Sequence, residues 1–185
     1  MKRYNSLILV FCIVLFAFVN GKSSFAGNYK LSAPSKYPLY VKKLMEQKQP
    51  EAAEAFLNTA LKKYPSAIDL IYLRAKIRGD YLNNFNGSFA DYSMAIKYAG
   101  KSFPKAYWRR ADIFAHNKQF AYALKDYTSC LKLIPKYGKV YFKRAKAYLK
   151  LGFREKAKID LQKCIRFSPV YKEAVLKFQQ ENQLW

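Results

Sequence analysis

The chain is poor in acid: 12 Asp plus Glu stand against 34 Lys plus Arg in 185 residues, a formal net charge of +22. Its carboxylates are scattered along the chain rather than paired, which leaves no general acid/base couple to build on. A single histidine, His116, excludes a His-based metal cluster and a second imidazole base. Three cysteines are too few for a disulfide scaffold. Seven glycines and seven prolines exclude collagen-like and Pro-rich low-complexity chains. No Gly-rich phosphate loop is present. Asn86-Gly87-Ser88 reads as a turn, and as a glycosylation sequon only in a eukaryotic source. Past residue 19 no apolar stretch is long enough to span a bilayer.

What is abundant is apolar and aromatic material, 51% and 17% of the residues, including 16 Tyr and 14 Phe. That content excludes a disordered basic tail. The length suits one domain or an array of small units. A pI near 9.9 implies an acidic partner or surface.

Lys2 and Arg3 precede an unbroken apolar run from Leu7 to Val19. A membrane span needs about 18 or more such residues, so the pattern predicts a secretory signal peptide over 1–26. Cleavage is expected after Gly21 or after Ala26, followed by a linker over 27–35. The rival reading is an uncleaved anchor. Export to a periplasm or the medium follows, with a bacterial source favoured.

A repeat runs through the remainder. Pro65, Pro135 and Pro169 are separated by 70 and 34 residues, with Gly100 at the missing midpoint. The phrase Ile71-Tyr72-Leu73-Arg74-Ala75 recurs as Tyr107-Trp108-Arg109-Arg110-Ala111 and as Tyr141-Phe142-Lys143-Arg144-Ala145. A second phrase follows each: Ala90-Asp91-Tyr92, Lys125-Asp126-Tyr127 and Ile159-Asp160-Leu161. Within a unit, Tyr141, Ala145, Tyr148 and Leu149 fall on one helical face. Ala157, Leu161, Cys164 and Ile165 form the face of a second helix, stopped before Pro169.

These residues make the chain resemble the tetratricopeptide repeat family, whose unit is a 34-residue helix-turn-helix. Ala145, Tyr148, Gly152, Ala157 and Pro169 carry the likeness best. The expected fold is therefore all-α, a right-handed superhelical stack of about four repeats. The expected units are 34–67 (divergent), 68–103 (with a turn insertion), 104–137 and 138–171, with 172–185 as a capping helix. In this family the first helices line a concave face that holds a partner segment. Carried over, the groove comprises Tyr72, Trp108 and Phe142 beside Lys42, Lys76, Arg109, Lys143 and Lys146. The family's carboxylate clamp is missing, because Pro38, Lys42 and Leu73 stand at its Lys and Asn positions.

The recurring pairs Arg74 with Asp91, Arg110 with Asp126 and Arg144 with Asp160 read as structural ion pairs. Taken as exposed pairs, each contributes about 0–1 kcal/mol. Cys130 and Cys164 read as buried stand-ins for alanine rather than a disulfide, since equivalent points on stacked helix pairs lie roughly 10 Å apart.

Two functions are compatible with these observations. The first is an exported protein–protein interaction scaffold, binding an acidic or carboxylate-bearing segment in the groove during envelope assembly or secretion. The second is binding of an anionic polymer or surface (nucleic acid, acidic glycan or anionic lipid) through the basic C-terminal repeats. From Lys136 onward there are 13 basic and 4 acidic residues. No enzyme activity, small-molecule substrate, cofactor or metal is expected.

Overall fold

The computed structural model describes residues 36–184. The signal peptide expected over 1–26, the linker over 27–35 and Trp185 of the cap lie outside the described residues. Within them the chain is helical, with no strand. The elements are α1 (Tyr37–Glu46), α2 (Pro50–Lys63), α3 (Ile68–Asp80), α4 (Phe85–Tyr98), α5 (Pro104–His116), α6 (Phe120–Leu133), α7 (Gly138–Lys150) and α8 (Arg154–Phe167). A 3-10 turn (Pro169–Tyr171) then leads into α9 (Lys172–Glu181). The chain divides between Pro65 and Ser66 into two units.

The first unit is the α1–α2 hairpin. Pro38 falls in the first turn of α1, where its missing N–H removes no helical bond. Tyr37 packs on Phe56 and Tyr64, with ring centroids 5.4 and 5.9 Å away. Val41, Ala53, Leu57 and Ala60 are buried between the helices.

The second unit contains three helix pairs, α3–α4, α5–α6 and α7–α8, the second helix of each pair packing on the first helix of the next, with α9 against α8 at the end. Small residues let each pair approach closely. Ala75, Ala111 and Ala145 on the first helices are fully buried, as are Ala123 and Ala157 on the second. At the equivalent site in α4, Ser88 is 1% exposed, and its hydroxyl donates to the Ala75 carbonyl at 2.8 Å. A polar group is thereby accommodated where an apolar one is usual.

The turn inside each hairpin needs one left-handed residue. Gly152 (φ 80°) supplies it without strain, whereas Lys48, Asn83 and Lys118 adopt φ of 56°, 52° and 57°. The α3–α4 turn, one residue longer, is closed by Asn84, whose Oδ1 accepts from the Gly87 N–H at 2.9 Å.

The Arg–Asp pairs differ from the exposed pairs assumed from sequence. Asp91, Asp126 and Asp160 have side chains only 2%, 8% and 3% exposed. Arg144 donates Nε to Asp160 Oδ2 at 2.7 Å and Nη2 to Oδ1 at 2.9 Å, and Arg110 holds Asp126 in the same fork. Arg74 grips Asp91 likewise, and Arg78 adds a third bond at 2.9 Å. A further bond reaches the preceding pair: Arg110 Nη1 donates to Ser93, and Arg144 Nη1 to Thr128. Each of these two arginines thus ties its own hairpin together and ties it to its neighbour. Charges this buried are costly to leave unpaired, so the 0–1 kcal/mol appropriate to a surface pair does not apply.

Cys130 and Cys164 are free, fully buried thiols. Burial pushes the Cys130 thiol up to about 12 and that of Cys164 to about 11.

Candidate functional site: a lysine-lined cleft on the second unit

An open cleft of about 510 Å³ lies over α5, α6, α7 and the 3-10 turn. Its wall is a row of lysines on α7: Lys139, Lys143, Lys146 and Lys150. Residues three and four apart share a helical face, which is why the four line up. Phe142, Tyr171 and Phe120 form the apolar floor, with Asp112, His116 and Tyr127 at the α5–α6 side.

The cations are not equivalent. Lys143 Nζ donates to both oxygens of Asp112, at 2.9 and 2.8 Å, and the Tyr127 hydroxyl donates to the same carboxylate at 2.6 Å. Burial, and then the Asp112 charge, raise the Tyr127 pKa well above the usual phenol range. Lys143 is therefore already paired within the fold, though its charge still bears on Lys146. Among the described residues no carboxylate lies at salt-bridge distance from Lys146, which sits 4.4 Å over the Phe142 ring and 5.3 Å from that of Phe178. Burial, then repulsion from Lys143, lower its pKa, with Glu181 opposing. Lys139 sits 4.9 Å over the Trp108 indole. Lys139, Lys146 and Lys150 are the cleft cations without an ion pair among the described residues.

The expected groove residues are distributed differently. Trp108 is 6% exposed, covered by Arg109 at 4.4 Å and Lys143 at 5.7 Å, and it serves as core. Arg109 is half-buried and pairs with Asp80 at 3.3 Å; burial lowers its pKa, but Asp80, Tyr92 and Tyr72 together outweigh that and the net shift is upward. Tyr72 packs on Tyr92 and Phe103, and Lys76 is half-buried one turn further along α3, outside the cleft. Lys42 belongs to the first unit, exposed and 3.7 Å from Glu46. The structure gathers Phe142, Lys143 and Lys146 into one site, and it leaves Tyr72, Lys76 and Arg109 outside that site's lining.

The aromatic ladder has its own logic. Tyr72 meets Phe103 at 5.3 Å, Trp108 meets Tyr137 at 6.3 Å and Phe142 meets Tyr171 at 6.1 Å. Each first helix thus receives the aromatic of the turn that closes its own pair. The sequence signal for two of these partners is Pro-x-Tyr, at Pro135 to Tyr137 and Pro169 to Tyr171. Sequence reasoning placed Asp112 on the groove face, one turn beyond Trp108, but did not assign Tyr171 or Lys150 to the groove.

Residues 138–171 match the tetratricopeptide repeat family. These residues are α7, α8 and the turn that follows, so the matched repeat carries the lysine wall. Over 100 residues the chain is 29% identical to serine/threonine-protein phosphatase 5 of Homo sapiens, which takes in 51% of this chain and 20% of that protein. The chain therefore spans about a fifth of that relative's length. Among solved structures, MamA 41-end from Desulfovibrio magneticus RS-1 superimposes with a TM-score of 0.70 at 16% identity, covering 81% of this chain and 85% of the other. The first TPR of Spaghetti (RPAP3) bound to HSP90 peptide SRMEEVD gives a TM-score of 0.57 at 22% identity, over 63% and 90% of the two chains. The repeat fold is common to all of these structures.

Among the described residues no group of three His, Cys, Asp or Glu is placed to hold a metal ion, and no helix is long and apolar enough to cross a membrane.

Proposed function

We propose that this chain is an exported interaction scaffold whose second unit holds an acidic segment of a partner protein in the α7 cleft. The observation that carries this reading is Lys146, a cation partly desolvated over Phe142, repelled by Lys143 and without an ion pair among the described residues. An incoming carboxylate relieves that repulsion, and Phe142 and Tyr171 give the same segment apolar contact area. Lys139 and Lys150 extend the positive field along the cleft and speed encounter. The neighbour with a bound peptide, SRMEEVD, supports a peptide occupant in this fold. The apolar run at Leu7 to Val19 supports export.

Fluorescence anisotropy with a labelled peptide of alternating Glu and Leu tests the cleft. Binding is expected to weaken by about tenfold in Lys146→Ala with Lys150→Ala, and only modestly as salt rises. Unchanged binding by that double variant would remove the cleft from consideration. Trp108→Ala is a poor probe, because removing a buried indole destabilises the stack whatever the cleft does.

A further inference from the structure

A second surface lies on one edge of the second unit, where each helix pair hands the chain to the next. Successive helices in the stack are antiparallel, so the turns after α4, α6 and α8 share an edge. Gly138 at the start of α7 lies against Ser168 and the Cys164 carbonyl at the end of α8, which places two of those turns side by side. The ring contacts of Phe103, Tyr137 and Tyr171 with the first helix of each pair place all three in equivalent positions.

This edge repeats one chemistry. Lys97, Lys132 and Arg166 recur at the same repeat position, and Lys101 and Lys136 recur four residues later. All five are exposed, and none makes an ion pair among the described residues. Asp69 in the first turn of α3 and Glu173 in the first turn of α9 put carboxylates towards its two ends. Among the cations stand large apolar side chains facing solvent: Tyr98 at 46%, Leu133 at 42%, Ile134 at 38% and Val170 at 87% exposure. Exposed apolar side chains gathered along one edge and rimmed by charge mark an interaction surface.

We propose that this edge docks on an anionic lipid surface. Tyr98, Leu133, Ile134 and Val170 enter the headgroup–acyl boundary, and the recurring lysines lie among the lipid phosphates. Aliphatic tips suit a bilayer better than a nucleic acid, where bases need flat rings on which to stack. An acidic protein segment would be held by the cleft on α7 rather than by successive turns along an edge. Docking by the edge would leave that cleft free for a partner.

Co-sedimentation of the full chain with vesicles tests this, comparing pure phosphatidylcholine with a 1:3 mixture of phosphatidylglycerol and phosphatidylcholine. The apolar run from Leu7 to Val19 would bind either vesicle, so the quantity read is the increment caused by phosphatidylglycerol. The increment is expected to fall by more than about tenfold in Lys132→Glu with Lys136→Glu, and to persist in Lys146→Ala with Lys150→Ala. Val170→Ser, a change at a largely solvated side chain, should lower it several-fold while leaving the thermal melt unchanged. An increment that survives both edge variants overturns the proposal, as does one lost equally in the cleft variant. Tighter capture of a DNA oligonucleotide or of polyglutamate than of the mixed vesicles, at equal salt, overturns it in favour of a different partner.

Discussion

Removing the Asp160 carboxylate tests the reading of the arginine forks most directly. In Asp160→Ala the Arg144 guanidinium, 13% exposed, loses both bonds of its fork and keeps only Thr128 at 3.1 Å and the rings of Tyr141 and Tyr148. A cation left unpaired in such a place costs about 3–5 kcal/mol. With a urea dependence of about 2 kcal/mol per molar, the unfolding midpoint should fall by roughly 1.5–2.5 M. The companion variant separates charge from packing. Arg144→Met with Asp160→Leu removes both charges, keeps an apolar chain between the two tyrosines, and should lie within about 1 kcal/mol of the wild type. Urea titration followed by circular dichroism reads both. A loss below about 1 kcal/mol for Asp160→Ala alone would mean that the fork behaves as a solvated surface pair, and the reasoning from burial would fail.

Three further outcomes are expected. Gly138→Ala should destabilise by about 1–3 kcal/mol in a thermal melt, since the new Cβ would sit 2.5 Å from Ser168 Cβ and 2.9 Å from the Cys164 carbonyl; adding Ser168→Gly should recover part of that loss. Native Cys130 and Cys164 should resist iodoacetamide at pH 8 and react once urea is added. In the folded state these thiols hold protons that the unfolded chain releases above the ordinary value of 9.0, so stability should fall between pH 9 and about 11–12, less steeply in Cys130→Ala. Expressed in a bacterium, the full chain should yield a mature protein whose N-terminal sequencing begins at Lys22 or Gly27; retention of Met1 in the isolated protein would refute the signal peptide.

The helical class was legible in the sequence because it rests on local spacing. Tyr141, Ala145 and Leu149 must share a face, and Pro104, Pro135 and Pro169 must interrupt helices wherever the rest of the chain lies. Pairing within a hairpin was legible for a similar reason: Arg144 and Asp160 are 16 residues apart across one short turn. Their burial was not, since it depends on the preceding pair packing against them.

The identity of the free cations was not legible either. Sequence position treats Arg109, Lys143 and Lys146 alike, as residues on the first helices. The tertiary structure pairs Arg109 with Asp80 and Lys143 with Asp112, residues 29 and 31 positions away in the preceding repeat, and leaves Lys146 alone. Likewise the indole of Trp108 becomes core under Arg109 and Lys139.

The sequence by itself determined the period, the helix pairs and the excess of basic charge. Only the stacking of one repeat on the next decided which of those charges are paired and which are left without an ion pair among the described residues. Side chains of different repeats meet according to the offset between neighbouring helix pairs, a distance that no local spacing carries.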